Sequence, residues 1–316
     1  MDAIVKHSRE MTEKGSKSFA AAARLLPQSV RDQAYMLYAW CRHCDDVIDG
    51  QELGFAAPAP AEEPPAERLA ALTRETERAI RGDAEKPVFI ALQRVLTAND
   101  IPARRPLELL RGFEMDVAGR RYRTVEDTLS YSYHVAGVVG VMMAMIMGAR
   151  DRDTLNRASD LGIAFQLTNI CRDVMDDAAV GRVYLPEDWL SAAGAPPHDI
   201  AAPRHRAAVA EVAARLLQTA EGYYASAKVG LTRLNFRPAL AIAAARGVYR
   251  EIGVAVKSRG ADAWDTRTII SKGRKKALVA SAFFTALEAH SLGRLRRAAP
   301  RDGLWTHPGL DQELFA

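Results

Sequence analysis

The chain has 316 residues, 48% of them hydrophobic, and a formal net charge of +4. This allows a large buried core in one or two domains, and the mixed charges lack the strong basic stripe of a nucleic-acid-binding protein. Three cysteines argue against a disulfide framework. Cys41 and Cys44 are expected to be packed small groups on a helix rather than a zinc or redox pair. The first fifteen residues lack the apolar segment of a signal peptide, which predicts a cytoplasmic protein.

Taken in chain order, the hydrophobic pattern predicts an all-α protein. Pro27 precedes one predicted helix and Gly50 ends it. Composition predicts exposed loops at 56–67 and 192–203 and a flexible tail at 300–316. The motifs described below lie on both sides of the first loop and must meet, so we expect a single domain over 1–316. The predicted helices cover residues 29–49, 66–81, 86–99, 106–118, 124–148, 152–178, 204–230, 238–258 and 271–296.

The first of these helices carries a polar stripe near its C-terminal end. Tyr38, Arg42, Asp45 and Asp49 stand at i, i+4, i+7 and i+11, so they share one face, while most other positions are apolar. Two carboxylates four residues apart repel each other, and the repulsion grows with burial. A compensating positive charge is therefore expected beside them.

A second helix repeats the pattern. Gln166, Asn169, Asp173 and Asp177 stand at i, i+3, i+7 and i+11 on a helix whose remaining positions are largely apolar. Either stripe alone would be interpreted as a solvated helix face. The recurrence of the same pattern on two helices suited to burial indicates a functional site instead.

Magnesium explains the two stripes. Mg²⁺ takes oxygen ligands from one or two carboxylates and completes its coordination with water and substrate phosphates. Facing Asp pairs would therefore bind a diphosphate through several ions, with Arg42 and Arg172 adding positive charge. The reaction this implies is ionisation of an allylic diphosphate, whose carbocation needs a dry apolar cavity.

The longest apolar run, 135–149, is a candidate lining for that cavity. It is shorter than the about 20 residues that span a membrane. Gly137 and Gly140 leave room for a hydrocarbon chain, and four methionines are soft and adaptable, although each taken singly is better interpreted as ordinary core. The four methionines are Met142, Met143, Met145 and Met147.

Basic residues cluster late in the chain, between Lys257 and Arg301. Such a face suits an anionic membrane surface or a diphosphate, and it equally suits a solvated surface. No nucleotide-binding glycine motif and no covalent catalytic triad is legible.

Five segments make the chain similar to the squalene and phytoene synthase family, and most of all to its bacterial phytoene synthases. The last segment, with N-x-x-R-D-x-x-x-D followed by G-R-x-Y-L-P, is the most specific. The segments are Gly15–Pro27, Tyr38–Asp49, Gly112–Val117, Tyr131–Gly140 and Gln166–Pro186.

The resemblance implies an all-α prenyltransferase bundle around a central cavity. The implied reaction is head-to-head condensation of two geranylgeranyl diphosphates, through a cyclopropyl diphosphate, to phytoene. Mg²⁺ or Mn²⁺ is implied, NADPH is not expected, and the hydrocarbon product implies peripheral membrane contact and handover to later carotenoid enzymes. The implied metal ligands are Asp45, Asp49, Asn169, Asp173 and Asp177, and Tyr131 is assigned to catalysis with the four aspartates. The implied substrate contacts are Ser16, Ser18, Phe19, Tyr38, Arg42, Gln166, Asn169, Arg172, Tyr249 and Arg267.

Two departures from the family pattern leave these ligands in place. Ser132 stands where a cysteine is frequent, and Asp176 stands where a glutamate is frequent. Two alternatives remain at this point. One is a synthase that uses the C15 substrate farnesyl diphosphate. The other is a non-catalytic helical relative that acts in assembly or binding.

Overall fold

A computed structural model describes residues 2–52, 55–56, 63–291, 293, 299–308 and 310. The described chain is helical apart from one short antiparallel hairpin, β1 Gln51–Glu52 and β2 Phe55–Ala56, so the predicted all-α class is confirmed. The helices are α1 Ala3–Gly15, α2 Lys17–Ala23, α3 Gln28–Asp49, α4 Pro65–Arg81, α5 Pro87–Ala98, α6 Arg104–Val117, α7 Val125–Ser132, α8 Val138–Ile146, α9 Arg152–Ala179, α10 Glu187–Ala192, α11 Arg206–Gly230, α12 Phe236–Arg259 and α13 Lys272–His290.

Two helices, α3 and α9, organise the bundle. Helix α3 follows Pro27 and ends where Gly50 turns left-handed at φ 64°, a conformation that glycine adopts without steric cost. Helix α9 begins at Asp151, whose side chain accepts a hydrogen bond from the Thr154 N–H. Apolar side chains bury most of both helices against α5, α8, α11 and α12. The acidic stripes therefore lie on two helices whose apolar positions are buried in the bundle.

Helices α8 and α9 approach each other closely through glycine. A π-helical turn, Tyr133–Gly137, joins α7 to α8 and brings the carbonyl of Ala136 against Gly162 of α9. A Cβ atom at Gly162 would overlap that carbonyl, and one at Gly140 would overlap the carbonyl of Ala158. Small residues at both positions thus fix the spacing of two walls of the site.

Gly162→Ala is expected to lower the free energy of unfolding by about 1–3 kcal/mol, because the added methyl has to push the two backbones apart. Chemical denaturation followed by circular dichroism measures it. Gly273→Ala in α13 is the matched control, since nothing lies within 4 Å of a Cβ there and alanine favours the helix. Equal stability of the Gly162→Ala variant and the wild type would contradict the close packing.

The N-terminal helices α1 and α2 are absent from the predicted set. Helix α1 is largely polar, with only Ser8 and Thr12 buried, so it shows little hydrophobic periodicity. The Asp2 side chain caps α1, and Ser16 ends it while capping α2 through the Phe19 N–H.

The predicted tail and loops differ from the structure. Arg301 forms a bidentate ion pair with the buried carboxylate of Asp160 at 2.6 and 2.8 Å, and the His307 ring stacks on Tyr133. Leu310 is buried, so the flexible-tail prediction is wrong for the described residues 300–308 and 310. Residues 311–316 lie outside the described part of the chain.

The two predicted loops also differ from the structure. Helix α4 already begins at Pro65, and residues 57–62 of the predicted loop lie outside the described residues. The second segment contains a short 3₁₀ turn, Pro197–Asp199, and buries Ala195 and Ile200 in the core, so it is not simply an exposed loop.

The apolar stretch Val125–Ile146 is long and apolar enough to cross a membrane by length and composition, with a mean hydropathy of 1.5. The stretch begins before the predicted apolar run 135–149 because helix α7 continues through the π-helical turn into α8 without a break. Two thirds of it is buried inside the bundle. A core helix of a soluble protein passes the same test, so the stretch is weak evidence for a span.

Candidate active site

A cavity of about 910 Å³ lies between α3, α9 and α12. The polar ends of α3 and α9 lie at one part of its wall, and the N-terminal half of α9 with one face of α8 supplies apolar wall. Every site residue predicted from the sequence lines this cavity. The roles assigned to those residues stay predictions.

The two acidic stripes meet across the cavity. Asp45 and Asp49 reach it from α3, and Asp173 and Asp177 from α9. Within the described residues, no three His, Cys, Asp or Glu side chains form a ready-made chelate. The two pairs therefore match a site in which substrate oxygens complete the coordination of a hard cation.

The carboxylates are electrostatically strained. Burial raises the pKa of Asp45 to about 6, with Arg42 lowering it and Asp49 raising it. Burial, followed by the negative charge of Asp173, raises the pKa of Asp177 to about 8. Desolvation and like charge both disfavour the ionised form. A divalent cation relieves both, so the donor set fits one.

Asn169 gives a second, independent indication that the site suits a divalent cation. Its side-chain Oδ1 is buried and has no hydrogen-bond donor, while its Nδ2 lies 3.4 Å from Gln166 Oε1. A buried amide oxygen without a partner is costly unless a ligand satisfies it. Amide oxygens are among the ligands that magnesium accepts.

Arginines lie against each acidic pair. Arg42 contacts Asp46 at 2.8 Å and Asp45 at 3.1 Å, and Arg172 donates to Asp173 at 2.8 Å. Arg267 lies 3.8 Å from the same Asp173. These guanidinium groups provide the compensating charge that the stripes predicted, and they are positioned to contact phosphate oxygens in the cavity.

Three residues of the site, Asp116, Arg182 and Tyr184, were not predicted. Asp116 accepts hydrogen bonds from the hydroxyls of Tyr131 at 3.0 Å and Tyr184 at 2.8 Å, and Arg182 donates to Asp49 at 2.7 Å. Burial raises the pKa of Asp116 to about 6, against the opposing charge of Arg182. Asp116 lies in the segment G-F-E-M-D-V, and Arg182 and Tyr184 lie in G-R-V-Y-L-P. The family motifs therefore contained the information needed to predict all three.

Tyr131 is held by this group. Its ring stacks on Tyr184 at 4.7 Å between centroids, and its hydroxyl donates to Asp116. Tyr131 therefore positions the Asp116 carboxylate at the wall of the cavity. Its assignment as a catalytic residue stays a prediction.

Aromatic and hydroxyl side chains complete the polar wall. The rings of Phe19 and Tyr38 stack at 4.7 Å, and those of Phe165 and Tyr249 at 4.1 Å. Ser18 accepts a hydrogen bond from Lys275 Nζ at 3.3 Å, which brings α2 and α13 together at the cavity rim. Lys275, a member of the basic cluster late in the chain, also lines the cavity.

The apolar lining agrees in part with prediction. Val135, Val139, Met143 and Met147, spaced four residues apart, line the cavity. Met142 and Met145 point into the surrounding core instead. One face of this segment therefore lines the cavity. Met142 and Met145 lie on its other faces, which pack into the core.

Comparison with known proteins identifies the family of the chain. Residues 12–274 match the sequence profile of the family described as squalene/phytoene synthase. The chain is 51% identical to a phytoene synthase of Pseudescherichia vulneris, over 96% of this chain and 98% of that protein, and 48% identical to a 15-cis-phytoene synthase of Paracoccus, over 98% and 99%. A crystal structure of a dehydrosqualene synthase in complex with ligand superposes with a TM-score of 0.80 at 26% identity, covering 91% of this chain and 97% of that one. The chain belongs to the squalene/phytoene synthase family.

Proposed function

We propose that the protein is a phytoene synthase that condenses two geranylgeranyl diphosphates head to head in carotenoid biosynthesis. The observation that carries this proposal is the meeting of two Asp-x-x-x-Asp pairs at one cavity whose remaining wall is apolar. Relatives that are 48–51% identical over nearly the whole chain bear the name phytoene synthase. We extend the proposal to a single catalytic unit over 1–316, located in the cytoplasm or peripherally on the inner membrane face.

The diphosphate group would bind at the acidic end. Asp45, Asp49, Asn169, Asp173 and Asp177 would hold Mg²⁺ or Mn²⁺, which when bound neutralises the diphosphate and stabilises the charge that develops as the allylic C–O bond breaks. Arg42, Arg172 and Arg267 would contact the phosphate oxygens through their planar guanidinium groups. Ser16 and Ser18 on α2, with Gln166, Tyr38 and Tyr249, would orient the substrate.

The hydrocarbon chains would lie along the apolar wall. Val139, Met143, Leu161 and Phe165 exclude water from the cation that ionisation leaves behind. The first condensation gives a cyclopropyl diphosphate and releases one diphosphate and a proton. The second ionisation releases the other diphosphate, and rearrangement with loss of a proton gives phytoene, so no reductant is needed.

A product assay tests the proposal. Purified protein is incubated with Mg²⁺ and either geranylgeranyl or farnesyl diphosphate, without NADPH, and the organic extract is analysed by mass spectrometry. A C40 hydrocarbon from the C20 substrate supports the proposal. A C30 product from farnesyl diphosphate alone would move the activity to the C15 substrate, and folded protein without either product would support a non-catalytic relative.

Removal of divalent ions is expected to abolish turnover. EDTA should reduce product formation to background, because the Asp pairs alone repel a diphosphate, and excess Mg²⁺ or Mn²⁺ should restore it. Circular dichroism in EDTA serves as the control and should show a folded helical protein. Undiminished turnover in EDTA would contradict the metal assignment.

A further inference from the structure

Helix α13 has an apolar face that no described residue covers. Residues 277–287 carry no charge on any side of the helix. Ala282, Ala286 and Ala289 pack inward, while Phe284 is 69% exposed and Phe283 and Leu287 are about half exposed. A contiguous exposed apolar patch of this kind marks a contact surface.

This face is continuous with the rim of the cavity. Val279, one turn before Phe283 on α13, is exposed and also lines the cavity. Ile269, just before α13, is 76% exposed and lines the cavity as well. Ala21 of α2 is an exposed lining residue on the opposite side, where Lys275 bridges to Ser18. The cavity therefore opens beside the apolar face, between α2 and α13.

The charges of α13 favour one kind of partner. Its first turns hold Lys272, Arg274 and Lys276, all exposed, and its first acidic residue is Glu288 near the opposite end. Arg274 pairs with Glu251 at 2.6 Å, whereas Lys272 and Lys276 form no ion pair with any residue that the structure describes. Exposed aromatic residues beside lysines are typical of helices that lie in the interface of an anionic bilayer.

We infer that the outer face of α13 docks on an anionic lipid bilayer and holds the opening between α2 and α13 against the membrane. Phe283, Phe284 and Leu287 enter the acyl boundary, and the lysines contact lipid phosphates. That the opening passes a hydrocarbon directly into the bilayer rests on the proposed function. The docking surface itself does not.

Vesicle flotation in the absence of substrate tests the docking. The full-length wild type and Phe283→Ser/Phe284→Ser are compared on phosphatidylcholine vesicles with and without phosphatidylglycerol, at low and high salt. The double variant is expected to lose at least about tenfold in partition coefficient, because two aromatic side chains leave the acyl boundary. Val254→Ser, at an exposed apolar position on α12, should bind like the wild type.

Three results would overturn the inference: wild type that fails to float with anionic vesicles, a double variant that floats equally well, or sedimentation showing a dimer that the double substitution dissociates. Product formation in detergent is measured in parallel, and the double variant should retain it because neither phenylalanine lines the cavity. Wild type that binds vesicles but makes no product in detergent would count against the proposed function and leave the docking surface standing.

Discussion

Asp173→Asn is expected to lower kcat/KM by at least about a thousandfold, since it would remove one of the proposed metal ligands, whose effect is concentrated in the transition state. Asparagine keeps the shape of the side chain but not the charge that draws a divalent cation between the two helices. Asp45→Asn should cause a comparable loss, because the opposing pair depends on it in the same way. Steady-state kinetics with geranylgeranyl diphosphate and Mg²⁺ measures both.

The neighbouring acid Asp176 provides the matched control. It lies on the same turn of α9 but is exposed and does not line the cavity. Asp176→Asn removes the same formal charge and should retain activity within a few-fold of the wild type. Near-normal turnover of Asp173→Asn, or an equal loss in Asp176→Asn, would show that net charge rather than ligation matters.

Asp177→Asn is expected to stabilise the metal-free protein while abolishing activity. Burial raises the folded-state pKa of Asp177 from its ordinary value of 3.8 to about 8. The folded state therefore retains a proton that the unfolded state releases, and this group makes stability fall as pH rises from about 4 to 8. Each unit of pKa difference corresponds to about 1.4 kcal/mol. The free energy of unfolding of the wild type should therefore be lower at pH 8 than at pH 4 by a few kcal/mol.

Thermal unfolding in EDTA across that pH range measures the effect. The melting temperature of Asp177→Asn should exceed that of the wild type by several degrees at pH 8, and the difference should shrink toward zero near pH 4. Asp176→Asn removes one of the weaker charges that raise the Asp177 pKa, so its curve should lie much closer to the wild type than that of Asp177→Asn. A variant that is less stable than the wild type at pH 8 would show that Asp177 is not strained by its surroundings.

The opposite signs of these effects have one physical origin. A buried pair of carboxylates costs folding free energy because both desolvation and mutual repulsion oppose its ionised form. The same repulsion makes the pair a strong site for a divalent cation. The Asp177 carboxylate therefore lowers the stability of the metal-free protein while it serves the proposed activity, as is usual for residues selected for binding rather than packing.

The sequence by itself determined the acidic stripes and most of the helical framework. Helical periodicity is a local property, so Asp45 with Asp49 and Asp173 with Asp177 follow from spacing alone. The resemblance to the family extended the predicted site to Ser16, Tyr249 and Arg267, which are distant from one another in the chain. Helix α1 was not predicted because its pattern is polar. The packing of Arg301 was not predicted because its partner Asp160 comes close only in the folded bundle.

Only the tertiary structure decided which residues share the cavity and which merely surround it. Met143 lines the cavity and Met142 does not, although the two are adjacent in the chain. The group of Asp116, Tyr131 and Tyr184 joins three separate segments through hydrogen bonds that no local pattern encodes. The apolar face of α13 is likewise visible only once packing shows which side of that helix stays exposed, because burial depends on neighbours distant in sequence.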